Sequence, residues 1–377
     1  MRVCLVYDCL YPYTVGGAER WYRGLAERLA AQGHSVTYLT LRQWPRGEQP
    51  SVPGVEVHAV GPRLRLYAAG RRRILPPLVF GLGVLAHLAR RGRRYDVVHT
   101  CAFPYFSLLA AASLRRPCRF RLFVDWFEVW TRDYWREYLG RLGALGWRVQ
   151  RRCVRVRQRA FCFSALHERR LREEGFRGEI TRLRGLYTGT GEALRRETEE
   201  LVVFAGRHIP EKRVPAIPPA IARARESVPS LRAELFGDGP DRERVLQSIG
   251  ALGLDGAVEA PGFVDPERVQ DAFARALCLA LPSSREGYGL VVVEAAAHGT
   301  PSVVVAGEDN AAAELVTDGV NGFVAASAEP DELAAAIVRV HQAGPALRDA
   351  TARWFAESSA QLSLQGSLEK VLEAYRS

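Results

Sequence analysis

A chain of 377 residues, 47% hydrophobic and 25% charged, has the make-up of a soluble globular protein and is long enough for two cores of ordinary domain size. That balance excludes a collagen-like or a disordered chain. The formal net charge of +10 hides an asymmetry: residues 1–196 hold 36 arginines against 15 acidic residues, so the first half is strongly basic and the remainder is net acidic.

The seven cysteines, Cys4, Cys9, Cys101, Cys118, Cys153, Cys162 and Cys278, are odd in number, scattered, and never spaced C-x-x-C. They read as reduced core thiols of a cytosolic protein, not as a disulfide frame or a zinc site. The opening MRVCLVYDCLYPY reads as a strand whose apolar run is cut short by Asp8, not as a signal peptide. No stretch is long enough to cross a membrane. The expected location is the cytoplasm, with peripheral contact at the inner face of the membrane. Arginine clusters at Arg71–Arg73, Arg90–Arg94 and Arg148–Arg159 leave two readings open. They are solvated faces of an arginine-rich chain, or a surface for something anionic: a membrane, a lipid-linked phosphate or an acidic acceptor. Nucleic acid is not expected, since no recognised motif is present and aromatic residues do not interleave the clusters.

Along the first half, apolar strands are expected at Arg2–Asp8, Ser35–Leu41, Val55–Val60, Asp96–Cys101, Arg121–Trp126, Ala160–Ser164 and Glu179–Gly185. Helical patterns separate them, as in Ala18–Gly33, which ends on a glycine suited to a helix C-terminus. The run Ile74–Ala89, broken by Pro76 and Pro77, reads as a buried helix and not as a membrane element. Turn residues gather at Tyr187–Arg196, the expected linker. A second series of strands follows at Glu200–Arg207, Arg232–Gly239, Val258–Phe263, Leu277–Ser283, Pro301–Gly307 and Gly322–Ala325. Helices are expected at Asp241–Leu252, Pro266–Arg275, Leu290–His298 and Pro330–His341, with a closing helix from about Arg348 to Tyr375. Near-continuous apolar strands alternating with helices predict parallel sheets covered on both faces. The expected architecture is α/β: two doubly wound Rossmann-like halves with a cleft between them. The domains would be 1–190, 191–350 and a helical segment 351–377 crossing back to the first.

Four stretches carry candidate chemistry. Val15–Glu19 (VGGAE) places Gly16 and Gly17 between the first strand and helix, where backbone can approach a ligand, though Gly-Gly is also an ordinary loop. Ala205–Arg213 (AGRHIPEKR) offers Arg207 as a fork and Lys212 as a point charge to a diphosphate, or two solvated cations. Leu235–Pro240 (LFGDGP) brings Gly237 to a turn that lines a nucleotide pocket or simply turns. Arg285–Pro301 (REGYGLVVVEAAAHGTP) is the most informative: Glu286 and Glu294 bracket Gly287, Tyr288, Gly289 and the helix start at Leu290. An all-helical path would separate the carboxylates by ~12 Å, enough to face a sugar and a ribose across a diphosphate. Either carboxylate alone would pass for a loop or helix-surface residue.

In this order and on these elements, the four stretches resemble the retaining GT-B glycosyltransferases of family 4. The resemblance runs over essentially the whole chain, including Asn310–Ala325 and the closing helix, and the E-x7-E context is its most specific part. It implies transfer of a hexose from a nucleotide diphosphate sugar, with retention and without a bound metal or other cofactor. The absence of an Asp-x-Asp pair agrees with that. It implies that Glu294 binds the ribose diol, that Glu286 holds the donor hexose, and that Arg207 and Lys212 clamp the diphosphate. Gly17 would face the phosphates and acceptor, and Gly289 and Leu290 would offer N–H groups. Gly16, Gly237, Gly287 and Tyr288 would complete the donor pocket.

One departure stands out. The segment Phe123–Trp135 is similar to a family loop that carries a histidine where Phe127 stands. The polar contact near the sugar's sixth carbon is then lost, which suits a deoxyhexose, or is taken over by Asp125 or Glu128. Equally, Phe127 only packs. Trp126, Trp130, Tyr134 and Trp135 either stack on an acceptor or form a core cluster. Other readings on the same fold are a nucleotide-sugar epimerase, a phosphorylase, or a non-catalytic sugar-nucleotide-binding protein at the membrane. The acceptor, lipid-linked, polysaccharide or secondary metabolite, is not read from the sequence.

Overall fold

The structure, a computed structural model, describes residues 1–45, 47–68, 71–189 and 196–377. Arg71 is described in its backbone only, and the expected 190/191 boundary falls outside the described residues, as does most of the linker stretch. The chain divides into two compact bodies, residues 1–186 with 364–377, and residues 187–363.

In the first body the apolar runs become seven parallel strands: β1 (Arg2–Val6), β2 (Ser35–Thr40), β3 (Val55–Ala59), β4 (Val97–Cys101), β5 (Arg121–Trp126), β6 (Arg159–Cys162) and β7 (Ile180–Arg182). Their order is β3-β2-β1-β4-β5-β6-β7. Helices α1 (Gly17–Ala31), α2 (Leu75–Arg91), α3 (Phe106–Cys118), α4 (Arg132–Leu139), α5 (Gly143–Val154) and α6 (Ala165–Glu173) lie between them in the chain. A two-residue pair, 67–68 with 71–72, was not expected. The central strands carry side chains without solvent contact, such as Leu5, Val97, Val98, Phe123 and Val124. A parallel strand covered on both faces reads as a continuous apolar run for this reason.

The second body repeats the plan with β8 (Leu201–Ala205), β9 (Arg232–Phe236), β10 (Val258–Gly262), β11 (Cys278–Leu281), β12 (Ser302–Val305) and β13 (Gly322–Ala325). Their order is β10-β9-β8-β11-β12-β13. Helices α7 (Ile217–Ala224), α8 (Arg242–Ala251), α9 (Pro266–Arg275), α10 (Leu290–Ala297) and α11 (Pro330–Leu362) accompany it. The expected closing helix is not continuous. Helix α11 kinks at Gly344 (φ +59), before Pro345, and ends where Ser363 turns extended. A separate helix, α12 (Leu364–Arg376), then packs with α1 in the first body. The segment that returns therefore starts at Leu364, not at 351.

Helix α2 differs from its sequence reading. One face is buried through Pro76, Pro77, Phe80, Val84 and Leu88, whereas the opposite face leaves Leu75, Leu78, Leu82 and Leu85 exposed. It is half-buried, because a helix of 3.6 residues per turn on a sheet edge can cover only one stripe. Among the described residues no helix is long and apolar enough to cross a membrane. All seven cysteines are buried and none is in a disulfide among the described residues, and burial pushes the Cys278 thiol up to about 12.

Gly83 lets α2 lie against the end of β3: a Cβ there would stand 1.8 Å from the Val60 carbonyl oxygen. Gly83→Ala should therefore lift the helix and cost about 2–4 kcal/mol, read as a lowered urea midpoint. An unchanged midpoint would mean that the contact is not held.

Candidate functional site

The strand order of the second sheet reverses between β8 and its neighbour β11. Ligands of open α/β sheets bind beyond the carboxyl ends of strands at such a switch point. Two of the four informative stretches leave the sheet there. After β8 the chain passes Arg207 and forms a short 3-10 turn, Pro210–Lys212. After β11 it passes Ser283 and pairs Arg285–Glu286 in parallel with Asp309–Asn310 before the glycine turn into α10.

The Lys212 ammonium meets the Glu286 carboxylate, to which the Ser283 hydroxyl also donates at 2.9 Å. Glu286 is only 8% exposed. A carboxylate so withdrawn from water requires a counter-charge and donors, and these two residues supply them. Backbone ties keep the partners in place. The Ser284 amide donates to the Glu211 carbonyl at 2.9 Å. The buried Asn310 amide donates to the Ser283 and Val305 carbonyls at 3.0 and 2.8 Å, while its Oδ1 accepts from the Ala312 amide at 3.1 Å. Ser283 and Asn310 were not singled out in the sequence. Their signal is faint, one serine and one asparagine among turn residues.

Two glycines set the loops. Gly289 caps α10 at φ +96, and a Cβ there would come 2.6 Å from the Ala312 Cβ. No side chain caps this helix, although the Val292 amide already donates to the Gly289 carbonyl at 2.9 Å. Gly237, at φ +115, is explained by packing: its Cβ would stand 1.9 Å from the Gly206 carbonyl oxygen. It lets the loop after β9 lie against the loop after β8, with the His208 amide donating to the Asp238 carbonyl at 2.9 Å. Arg207 is exposed, Tyr288 is buried and Gly287 half-buried beside it. His208 is fully buried without a hydrogen bond on either ring nitrogen, and burial followed by the Arg242 charge holds its pKa below the usual range.

Glu294 sits half-buried on α10. Helical spacing applies only from Leu290 onward, since Glu286–Gly289 is strand end and turn, so the all-helical separation does not hold. Tyr187, expected as linker, lies near Glu294: burial raises its phenol pKa and the Glu294 charge adds to the effect. Its ring packs edge-on against Phe355 at 5.4 Å.

The candidates of the first body divide. Gly16 and Gly17 open α1, with space free around a Cβ at Gly17. Asp125 is held in the core of the first body. It has no exposed surface, accepts from Trp21 Nε1 at 2.7 Å, and lies 2.9 Å from His99 Nε2. It braces the sheet. Phe127 stacks flat on Phe163 at 4.6 Å. The Glu128 carboxylate accepts from Trp130 Nε1 at 2.6 Å. Gln150, fully buried, accepts from Trp135 Nε1 and the Trp130 amide, each at 3.1 Å. Trp126 and Trp135 are therefore core, whereas Trp130 and Tyr134 keep partial exposure.

Two doubly wound sheets, one presenting cations, a buried acid and an uncapped helix start at its switch point, define a GT-B architecture. A family model described as "Glycosyl transferase 4-like domain" matches residues 16–184, and one described as "Glycosyl transferases group 1" matches residues 191–353. The two matches take in most of the chain, which belongs to the GT-B glycosyltransferases of family 4. A D-inositol 3-phosphate glycosyltransferase of Streptomyces griseus is 36% identical over 146 residues, covering 36% of this chain and 30% of that protein. This chain spans less than half the length of such curated relatives. Among solved structures, sucrose-phosphate synthase (tll1590) from Thermosynechococcus elongatus aligns at TM-score 0.79 and 20% identity, covering 100% of this chain and 98% of that one. Anabaena Alr3699/HepE in complex with UDP and glucose aligns at TM-score 0.76 and 18% identity, with both chains covered in full. At such identities the structures establish the fold alone.

Removing the ammonium by Lys212→Met should cost about 2 kcal/mol in urea unfolding, since Glu286 then stays buried without a counter-charge. The double variant Lys212→Met/Glu286→Gln should recover most of that loss. Additive losses would mean that the pair is not coupled.

Proposed function

We propose that the chain is a retaining, metal-independent glycosyltransferase that moves a hexose from a nucleotide diphosphate sugar to an acceptor hydroxyl. The observation that carries the reading is the Lys212–Glu286–Ser283 cluster at the switch point of the second sheet, one turn of chain before the uncapped start of α10. Donor binding needs positive charge for two phosphates, N–H groups for their oxygens, and acids for hydroxyls, and these are the groups gathered there.

In this reading Arg207 and Lys212 grip the diphosphate. An ammonium has three donors, so Lys212 can keep Glu286 with one and meet phosphate oxygens with the others. The bond from the anomeric carbon to the diphosphate breaks, and the acceptor oxygen takes its place on the same face. The hydroxyl proton leaves with the nucleoside diphosphate. Charge on the departing diphosphate is stabilised by the two cations and by the amides of Gly289 and Leu290. Glu286 holds donor hydroxyls and supports positive charge at the anomeric centre, while Glu294 accepts from the ribose diol. HepE was solved with UDP and glucose, so uridine diphosphate sugars are the first donors to try. Phe127 in place of a polar residue favours a deoxyhexose. Gly16 and Gly17 belong to the first body, which receives the acceptor: lipid-linked, polysaccharide or secondary metabolite. Its arginines meet an anionic acceptor or the membrane that carries one. The protein would then work in the cytoplasm, peripheral to the inner face.

Incubation with a panel of nucleotide sugars should release free nucleoside diphosphate. Interconversion of sugar nucleotides without that release would overturn the reading in favour of an epimerase. Glu294→Ala should weaken nucleoside diphosphate binding about tenfold in isothermal titration, a charged hydrogen bond to the ribose being lost. Unchanged affinity would remove Glu294 from the ribose.

A further inference from the structure

Residues 57–95 contain nine arginines and not one aspartate or glutamate. This stretch includes α2, whose outward face is a stripe of Leu75, Leu78, Leu82 and Leu85, 55%, 38%, 67% and 37% exposed. The spacing of three and four residues puts them on one side of the helix. The stripe is framed by charge, with Arg73 before the helix and Arg93 and Arg94 after it, all exposed. Beside the stripe, the next face of α2 lines an open cavity of about 870 Å³ with the end of β3. Arg42, Arg63, Arg90 and Arg91 stand around it, with His58 and His87 between. Among the described residues, Arg63, Arg90 and Arg91 have no carboxylate partner. The His87 pKa is lowered to about 4, by burial first and then by His58 and Arg91.

We infer that α2 and the arginine-lined cavity beside it form one docking site for an anionic phospholipid bilayer, the leucines entering the acyl boundary and the cavity receiving a headgroup phosphate. The inference deepens the reading that the first body meets an anionic surface, and names the element that does so. Four leucines along one exposed side of a helix form an apolar stripe, and a helix with such a stripe and flanking arginines lies in the interface plane of an anionic membrane. Apolar entry and charge attraction reinforce each other there. A second copy docking two-fold on the same face fits worse, because such an interface sets like patches together and would bring arginine against arginine.

The test is flotation of the full chain with phosphatidylcholine vesicles, with and without phosphatidylglycerol, at low and physiological salt. The wild-type chain should float with the anionic vesicles only, and less at higher salt. The exposed pair Leu82→Glu/Leu85→Glu should weaken binding about tenfold or more, and Arg63→Gln/Arg90→Gln about fivefold for each arginine removed. Melting temperature and UDP affinity should stay unchanged in both variants. Equal flotation of the leucine variant would overturn the role of α2 and leave a purely electrostatic first body. No flotation of the wild-type chain would remove the membrane contact altogether. A dimer on sizing that the leucine variant loses would assign the stripe to a second copy. An arginine variant that floats normally but loses a thermal shift with inorganic phosphate would make the cavity a site for the free ion instead.

Discussion

The burial of one carboxylate governs the second body. Glu286 sits beyond the end of a central strand, 8% exposed, and a polar group so buried needs partners. Lys212 and Ser283 make it tolerable, and to do so the loops after β8 and β11 must stand side by side. The strand order provides that neighbourhood, and Asn310 locks it from a third loop. A cation held this way is half-committed: it balances Glu286 and still has donors to spare for a phosphate.

The two bodies share a plan but not a charge. The first is basic, with arginine clusters that hold no acid; the second is acidic overall, with Arg207 and Lys212 on the loop after β8 and further arginines paired with surface acids. In the proposed reading a nucleotide diphosphate approaches a net acidic body and is met at the switch point by Arg207 and Lys212. That arrangement favours position over raw attraction, which suits a pocket that must also release its product.

Much of this was legible in the sequence. All thirteen strands of the two sheets stand where the sequence places them, the central ones because a parallel strand buried on both faces has little choice of composition. The glycine turn before α10 was legible for a related reason, since Gly289 at φ +96 against Ala312 tolerates no side chain. Asp125 was not: an acid on a strand looks the same whether it faces a ligand or, as here, is held in the core by Trp21 and His99. At Gly237 the sequence also did not show the backbone packing against Gly206 that requires a glycine there. The break at Ser363 carries no glycine or proline, so the closing helices read as one. The exposed side of α2 was hidden by its prolines and by apolar residues on both faces of the helix, only one of which is buried.

The central claim is that Lys212, Arg207, Glu286 and Glu294 surround an activated sugar. A crystal structure of the chain soaked with a hydrolysis-resistant nucleotide diphosphate sugar tests it most directly. The account predicts the diphosphate against Arg207, Lys212 and the first turn of α10, with Glu286 on the sugar and Glu294 on the ribose. A ligand bound elsewhere, or those four side chains turned from it, would contradict the account and leave only the two-sheet architecture standing.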